Sequence, residues 1–530
     1  MRLSLFAKIV GMVIFLLIFF LGHDSDVSSI QAGTTSYEKH QILSPDKPGF
    51  VNKRAEESQY TSEVEVTLNQ ISIRSNNSYQ ESTTSVHLPL IMSGWRYVST
   101  LSRGYLTTPQ ELFVIQEKAD KGIEPYGTGV YEVLDWADKD WNYQLDAFED
   151  CTGSEDPEWI NNTGGIPILY AKALAYHLTG DNHYAQEVKV ILERIMNEVK
   201  KISVEENQCR LNFGWGTPEL VASADLIEEY WKNQTCMGPL STLYVDSMVG
   251  EGSCKALFQN WLVKNPYYVV SYSAIKSDSN WGAAATNATA YIADYMWDRP
   301  DVVLAHRSPE KVNNGEDIFF TPAQAFAYAN KLALDRMNGY GLEYSGNSCD
   351  LLTGPQQSNE WLPVKSQITE NGIIPEDARR DEYCNVPRYN GEYQNYPQLH
   401  LGNNIQQCEL MLRRGDSSCY ENVDNTDISN YTYIGPDGEL KTTYLYPGRG
   451  SIERAIKAII VDSDTEWKRD PALAVAYRYY FGRHRLLGFN KWAGQIDKIK
   501  GCGQDICFGV LTHGFAPGEV PDPPPMVPPP

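Results

Sequence analysis

Asn280 and Trp281 stand directly before a run of small residues, GAAATNATA (282–290). At the head of such a helix an amide or an indole meets whatever packs close by. An asparagine there is also an ordinary helix N-cap. Arg379 and Arg380 lie in GIIPEDARRD (372–381). A guanidinium keeps its charge and grips a carboxylate at two points, although an RRD cluster also suits a plain solvated surface. Tyr393, Tyr396, Gln398 and His400 follow in YQNYPQLHLG (393–402). An imidazole titrates near neutral pH unaided. A phenol ionises near 10, so a neighbour such as Arg380 must lower it before it serves as a base. Trp215 in FGWG (213–216) offers a flat apolar ring of the kind that lines sugar clefts or simply packs. The nine histidines and ten cysteines contain no HExxH and no CxxC. No zinc site and no cofactor are expected.

The elements that must position these groups read as helices. Thr108-Pro109 is an N-cap with a first-turn proline, and Leu112, Ile115 and Ala119 continue the period to a stop near Gly122. Ile168, Ala171, Leu174, Ala175 and Leu178 recur at helical spacing, Gly180-Asp181 breaks the run, and Ala185, Val188, Ile191, Leu192 and Ile195 resume it. That is a helical hairpin with a short turn. Thr217-Pro218-Glu219 predicts another helix start, running through Leu220, Ala224, Ile227 and Trp231. Further helices are expected at about 255–264, 281–297, 322–337, 398–413, 451–461 and 471–482. Short apolar helices in antiparallel pairs suggest a mainly α fold, an α/α toroid or solenoid, with no repeat of fixed length. One alternating stretch, Val64 to Ile73, suits a strand.

Several of these pieces resemble one family, the alginate-lyase-type polysaccharide lyases. The segment SRGYLTTPQELFVIQEKADKGIEPYGTGVYEVL (102–134) is similar to that family's first helix. ILYAKALAYHLTGDNHYAQEVKVILERI (168–195) resembles its signature hairpin, and FGWGTPELVASADLIEEYW (213–231) the helix that follows. SNWGAAATNATAYIADYM (279–296) resembles its asparagine-bearing active-site helix. GIIPEDARRD and YQNYPQLHLGNNIQQCEL (393–410) resemble its late catalytic segment, and all occur in the family's order. The resemblance implies an incomplete α/α toroid with a groove for an acidic polysaccharide, and β-elimination at a uronic acid.

That reaction needs the carboxylate beside the acidic carbon neutralised, a base for the C5 proton and an acid for the leaving oxygen. By the resemblance Asn280 matches the carboxylate-binding asparagine and Arg380 the family's arginine. Trp281, Arg379, Gln398 and Trp215 would touch substrate. An alignment on Gln398-Leu399-x-Leu401-Gly402 puts Tyr396 where related chains often carry a histidine; one on Tyr-x-Asn-Tyr puts Tyr393 at the catalytic tyrosine. His400 is the remaining candidate; if residues 398–410 form a helix, it either faces away from Tyr396 or is a satisfied core residue. The chain departs from the family at Trp281, where many members have a histidine. Tryptophan cannot abstract a proton, so that base is missing or displaced. Asn287, two turns on, is read as structural. Two alternatives stay open: a non-catalytic carbohydrate-binding or cell-wall toroid, and a toroidal glycoside hydrolase recruiting Glu376 and Asp381.

The 530 residues carry 45 basic and 68 acidic side chains, a formal net charge of −23. That excludes a nucleic-acid binder, which needs a basic face. It leaves room for an acidic sugar if positive charge is local, as at Arg379 and Arg380. Arg2 and Lys8 precede the uncharged run Ile9 to Gly22, which predicts a signal peptide over 1–22 and a secreted chain. An uncleaved anchor would be the one route to a membrane. A polar arm is expected over 23–92, the toroid domain over 93–500, a cysteine-containing segment over 501–515 and an extended proline-rich tail over 516–530. Ten cysteines after the signal suggest disulfides whose pairing the sequence leaves open. Five Asn-x-Ser/Thr sequons begin at Asn76, Asn161, Asn233, Asn287 and Asn430. Oligomeric state has no signature here.

Overall fold

The computed structural model describes residues 102–151, 157–161, 164–242, 248–277, 279–307, 317–337, 340–342, 361–363, 377, 395–421, 430–434, 440–444, 451–456, 471–480, 501–502, 506–517, 519 and 523–529. The chain divides into residues 1–91 and 92–530. The first unit, with the expected signal, most of the expected arm and the strand at 64–73, lies outside the described residues. So do Arg379, Arg380, Tyr393, Glu376 and Asp381.

The second unit is mainly helical. Its principal helices are α1 (Pro109–Asp120), α2 (Tyr126–Ala137), α3 (Gly165–Thr179), α4 (Asn182–Glu198), α5 (Asn207–Leu226), α6 (Cys254–Leu262), α7 (Tyr268–Lys276), α8 (Asn280–Tyr295), α9 (Pro322–Met337), α10 (Asn395–Arg413) and α11 (Ala472–Tyr480). A π-helical turn, Val263–Tyr267, joins α6 to α7. Strands occur only as two-stranded pairs among the described residues: β1 (Phe148–Glu149) with β2 (Lys201–Ile202), β3 (Thr235–Pro239) with β4 (Val249–Ser253), and β5 (Leu304–Arg307) with β6 (Asp317–Phe320) are the first three.

Local chemistry sets the helix limits. Thr108 caps α1 by accepting the Glu111 N–H at 3.2 Å. Gly180 takes a left-handed φ of 73° to end α3, and Asp181 caps α4 through the His183 N–H at 2.8 Å. The expected hairpin is therefore present. His177 on α3 ties it to α5, donating from Nε2 to the Leu226 carbonyl at 2.6 Å, whereas His183 is exposed.

Two expectations are corrected. The helix read as starting at Thr217-Pro218 begins ten residues earlier, at Asn207, with Pro218 in its interior. The proline removes one hydrogen bond, to the Gly214 carbonyl, but packing holds the helix through it. A Cβ on Gly214 would stand 3.1 Å from the Cβ of Ala284, so α5 and α8 touch there almost backbone to backbone. The helix expected to end near 264 also continues, through the π turn, into α7.

α8 is the hub: it packs against α5, α7, α9 and α10. Its alanines and glycine are what permit four neighbours at close range. Disulfides Cys151–Cys209, Cys236–Cys254 and Cys408–Cys419 brace this body, and Cys502–Cys507 closes a short loop near the C-terminus. They are compatible with an oxidising, extracellular setting. No helix among the described residues is long and apolar enough to cross a membrane. The proline-rich tail runs over the surface but is tethered: the Val527 N–H donates to the Arg413 carbonyl at 2.7 Å, and Arg103 to the Pro528 carbonyl at 2.9 Å.

Candidate active site

The N-terminal ends of α8 and α10 meet at a buried carboxylate. Ser279 caps α8, its Oγ accepting the Trp281 N–H at 3.3 Å. The next backbone N–H, that of Asn280, donates to Asp377 Oδ1 at 3.1 Å. The other oxygen of Asp377, Oδ2, lies 2.7 Å from His400 Nδ1. Asn280, Asp377 and His400 are all fully buried. One carboxylate thus joins a backbone N–H in the first turn of α8 to an imidazole nitrogen on α10. Nε2 is buried with no hydrogen-bond partner among the described residues.

Aromatic rings pack beside this chain of contacts. Trp215 from α5, Ala284 from α8 and Leu399 from α10 form a small apolar cluster with Leu211, set apart from the main core, and Trp281 and Tyr396 pack on it half-buried. The Gly214 contact with α8 is what brings Trp215 this close. α10 begins at Asn395, not 398, so Tyr396 and His400 are four residues apart on one helix and share a face. The possibility that they face apart is thereby corrected. Asn404 extends the same face by another turn. It too is buried, and its Nδ2 has no partner among the described residues. Asn212, one turn before Trp215 on α5, is buried likewise, with Oδ1 accepting from Gln208 at 3.0 Å and Nδ2 unpartnered among the described residues. Such groups are costly to bury dry and favour a ligand rich in hydroxyls or carboxylates.

Further along the same helices lies an amide layer. Gln406 on α10 donates to Glu219 Oε1 at 2.9 Å, and Asn287 on α8 donates to Gln406 Oε1. Asn287 is fully buried in that contact, which fits its reading as structural. Arg336 of α9, also buried, donates to the Ser277 carbonyl at 3.1 Å and to Thr286, fixing the turn that precedes α8.

Of the residues singled out from sequence, Trp215, Asn280, Trp281, Tyr396, Gln398 and His400 therefore fall at the adjoining ends of α8 and α10 and the flank of α5. Gln398 is buried beside Leu399. Arg379, Arg380 and Tyr393 lie outside the described residues. Asp377 was missed: it sits three residues before Arg380 in a segment read only for its arginines. Asn404 was missed too, although its four-residue spacing from His400 was available. Nothing among the described residues groups three or more metal-ligating side chains.

Arranged this way, Asp377 holds the His400 ring by its Nδ1. Tyr396 and Trp281 are half-buried, whereas Trp215, Asn280, Gln398 and His400 are buried. No family model matches the chain, and no curated protein matches it. Among solved structures, it is similar to the crystal structure of an alginate lyase from Bacteroides ovatus, at 14% identity and a TM-score of 0.42, over 78% of this chain and 99% of that one.

Proposed function

We propose that the protein is a secreted polysaccharide lyase that cleaves a uronate polymer by β-elimination, on an incomplete α/α toroid. The observation that carries this reading is the Asn280–Asp377–His400 chain of contacts beside Trp215, Trp281 and Tyr396. It gathers an oriented imidazole, a phenol, an amide and aromatic walls at one place.

In this reading the Asn280 side chain and Arg380 neutralise the uronate carboxylate, which lowers the acidity barrier at C5. Tyr396 removes the C5 proton and returns it to the glycosidic oxygen on C4 as that bond breaks. The electron pair left at C5 forms the C4–C5 double bond. Tyr393 is the alternative phenol. His400, one turn from Tyr396 and held by Asp377, is the second candidate for the base. Trp215, Trp281, Gln398 and Arg379 line the sugar subsites. No metal or cofactor enters the scheme, and the partner is the acidic polysaccharide itself.

The full burial of His400 favours a second reading, a toroid that binds such a polymer without cleaving it. One assay separates the two. The purified protein is incubated with polymannuronate, polyguluronate and glucuronan while ultraviolet absorbance follows the unsaturated product end. Lyase action gives rising absorbance on at least one polymer. Binding with no absorbance supports the second reading, and new reducing ends without absorbance mean a hydrolase.

A further inference from the structure

Asn161, Asn233 and Asn287 are the sequon asparagines with described side chains, and their settings differ. Asn287 is fully buried on α8, with its Nδ2 engaged by Gln406. Asn161 is half-buried, in a turn. Asn233 is exposed, in the turn between the short helix Glu228–Trp231 and strand β3. The backbone on both sides of it is pinned. Gln234 N–H donates to the Trp231 carbonyl at 2.9 Å, Cys254 N–H to the Gln234 carbonyl at 3.0 Å, and Ser253 Oγ to the Lys232 carbonyl at 2.8 Å. The sequon hydroxyl, on Thr235, is exposed as well and opens β3 opposite Ser253.

The hairpin that starts there has an unusual outer surface. Alternation puts Thr235 and Met237 of β3 on the same face as Val249, Glu251 and Ser253 of β4, and all five are exposed. On that face Met237 and Val249 are the exposed apolar side chains, beside Thr235, Glu251 and Ser253; Leu240 and Met248 (74% exposed) belong to the opposite parity, at the far end of the hairpin. Exposed apolar side chains such as Met237 and Val249 favour self-association, whereas the β3 edge is engaged: the Met237 N–H donates to Glu193 at 2.8 Å and Asn260 donates to the Pro239 carbonyl at 2.9 Å.

We propose that Asn233 is an N-glycosylation site, and that its glycan covers Met237 and Val249 on the outer face of the β3–β4 hairpin. In the transfer, a bond forms from Asn233 Nδ2 to the anomeric carbon of a pyrophosphate-activated oligosaccharide. The bond from that carbon to the phosphate oxygen breaks, and the pyrophosphate leaves with the electron pair. The amide proton goes to a base of the transferring enzyme. Asn287 stays bare, because a sugar on its Nδ2 has no place between α8 and α10.

The test is to secrete the full chain from a eukaryotic host and map its glycopeptides. Occupancy at Asn233 with none at Asn287 is expected; a bare Asn233 or an occupied Asn287 overturns the proposal. Asn233→Gln and Thr235→Ala should each lose the mass of one glycan and shift toward larger species in light scattering. Enzymatic removal of the glycan from the folded protein should do the same, which guards against a variant that merely misfolds. Unchanged association in all three overturns the covering role.

Discussion

The two ends of helix α8 are built from different chemistry. At its C-terminal end Asp294 receives two forked guanidiniums, Arg103 at 2.8 and 3.0 Å and Arg414 at 2.7 and 2.8 Å. Arg414 also donates to the carbonyls of Arg103 and Gly104, and Asp225, from the end of α5, accepts the N–H groups of both residues. One residue before Arg414, Arg413 bridges Glu409 and Glu111. Burial pushes the carboxyls of Asp294 and Glu409 up, but Arg414 and Arg103 beside the first, and Arg413 and His513 beside the second, outweigh it and hold each at about 2. At the N-terminal end stands Asp377, the one carboxylate there among the described residues, with an imidazole whose outer nitrogen is unpartnered among them. The first end is tied by complementary charge, although the buried Tyr105 and Tyr295 hydroxyls there have no hydrogen-bond partner among the described residues; the second is held by one described carboxylate and has no such charge network among the described residues. The charge network is a clamp that holds chain segments from Ser102 to Pro528 together.

Breaking the clamp should give the largest effect. Asp294→Asn leaves two buried guanidiniums without their anion. Removing one partner of such a group costs about 3–5 kcal/mol. Denaturant melts should show that loss, with any fall in activity following the folded fraction. A loss below about 1 kcal/mol would mean that the end is no clamp.

At the other end Asp377→Asn should cost less, about 1–3 kcal/mol for hydrogen bonds to a charged acceptor. It should nevertheless remove about 10²–10⁴ of any turnover if His400 moves the proton, because the carboxylate no longer holds the ring. Steady-state rates per folded molecule test this. Equal loss of stability and no change in rate would put Asp377 in the same structural role as Asp294.

His177 sharpens the comparison from the clamp side, where it joins α3 to the end of α5. Burial pushes its imidazole down to about 4, against the hydrogen bond to Leu226. The folded state thus binds fewer protons than the unfolded one, whose histidine titrates near 6.5. This contribution is complete above pH 6.5 and is lost as pH falls toward 4. Glu228, raised by burial to about 7 against Lys255, works in the opposite sense over the same range. The parent must therefore be compared with His177→Gln. The variant's melting temperature should fall less between pH 6.5 and 4, and parallel curves would remove His177 from the clamp.

Much of this was legible in the sequence, because helix caps and periodicity are local. Thr108, Gly180 and Asp181 announce their own ends. Pro218 misled because the force that carries α5 through it is tertiary, the contact of Gly214 with Ala284. The site was legible for the same reason in part: Tyr396 and His400 share a helix, so their pairing needed only the right helix start. Asp377 lies 23 positions before His400 and 97 after Asn280, and it meets them through folding alone, as Arg103 reaches Asp294 across 191 positions. No spacing rule spans such gaps.

The smallest expected change in stability carries the most about function. Tyr396 is half-buried and packs on the apolar cluster of Leu211, Trp215, Ala284 and Leu399. Tyr396→Phe keeps the ring and its apolar contacts, so stability should move by no more than about 0.5 kcal/mol, as for a surface change. If the phenol removes the C5 proton, ultraviolet-detected turnover should vanish while affinity for the polymer is kept. If turnover survives with His400→Gln inactive, the base is the imidazole, and the buried Asp377 pair is itself the catalytic centre. If turnover survives in both variants, this end of α8 serves binding alone. The contrast with the clamp would then be one of ligand contact, not of proton transfer.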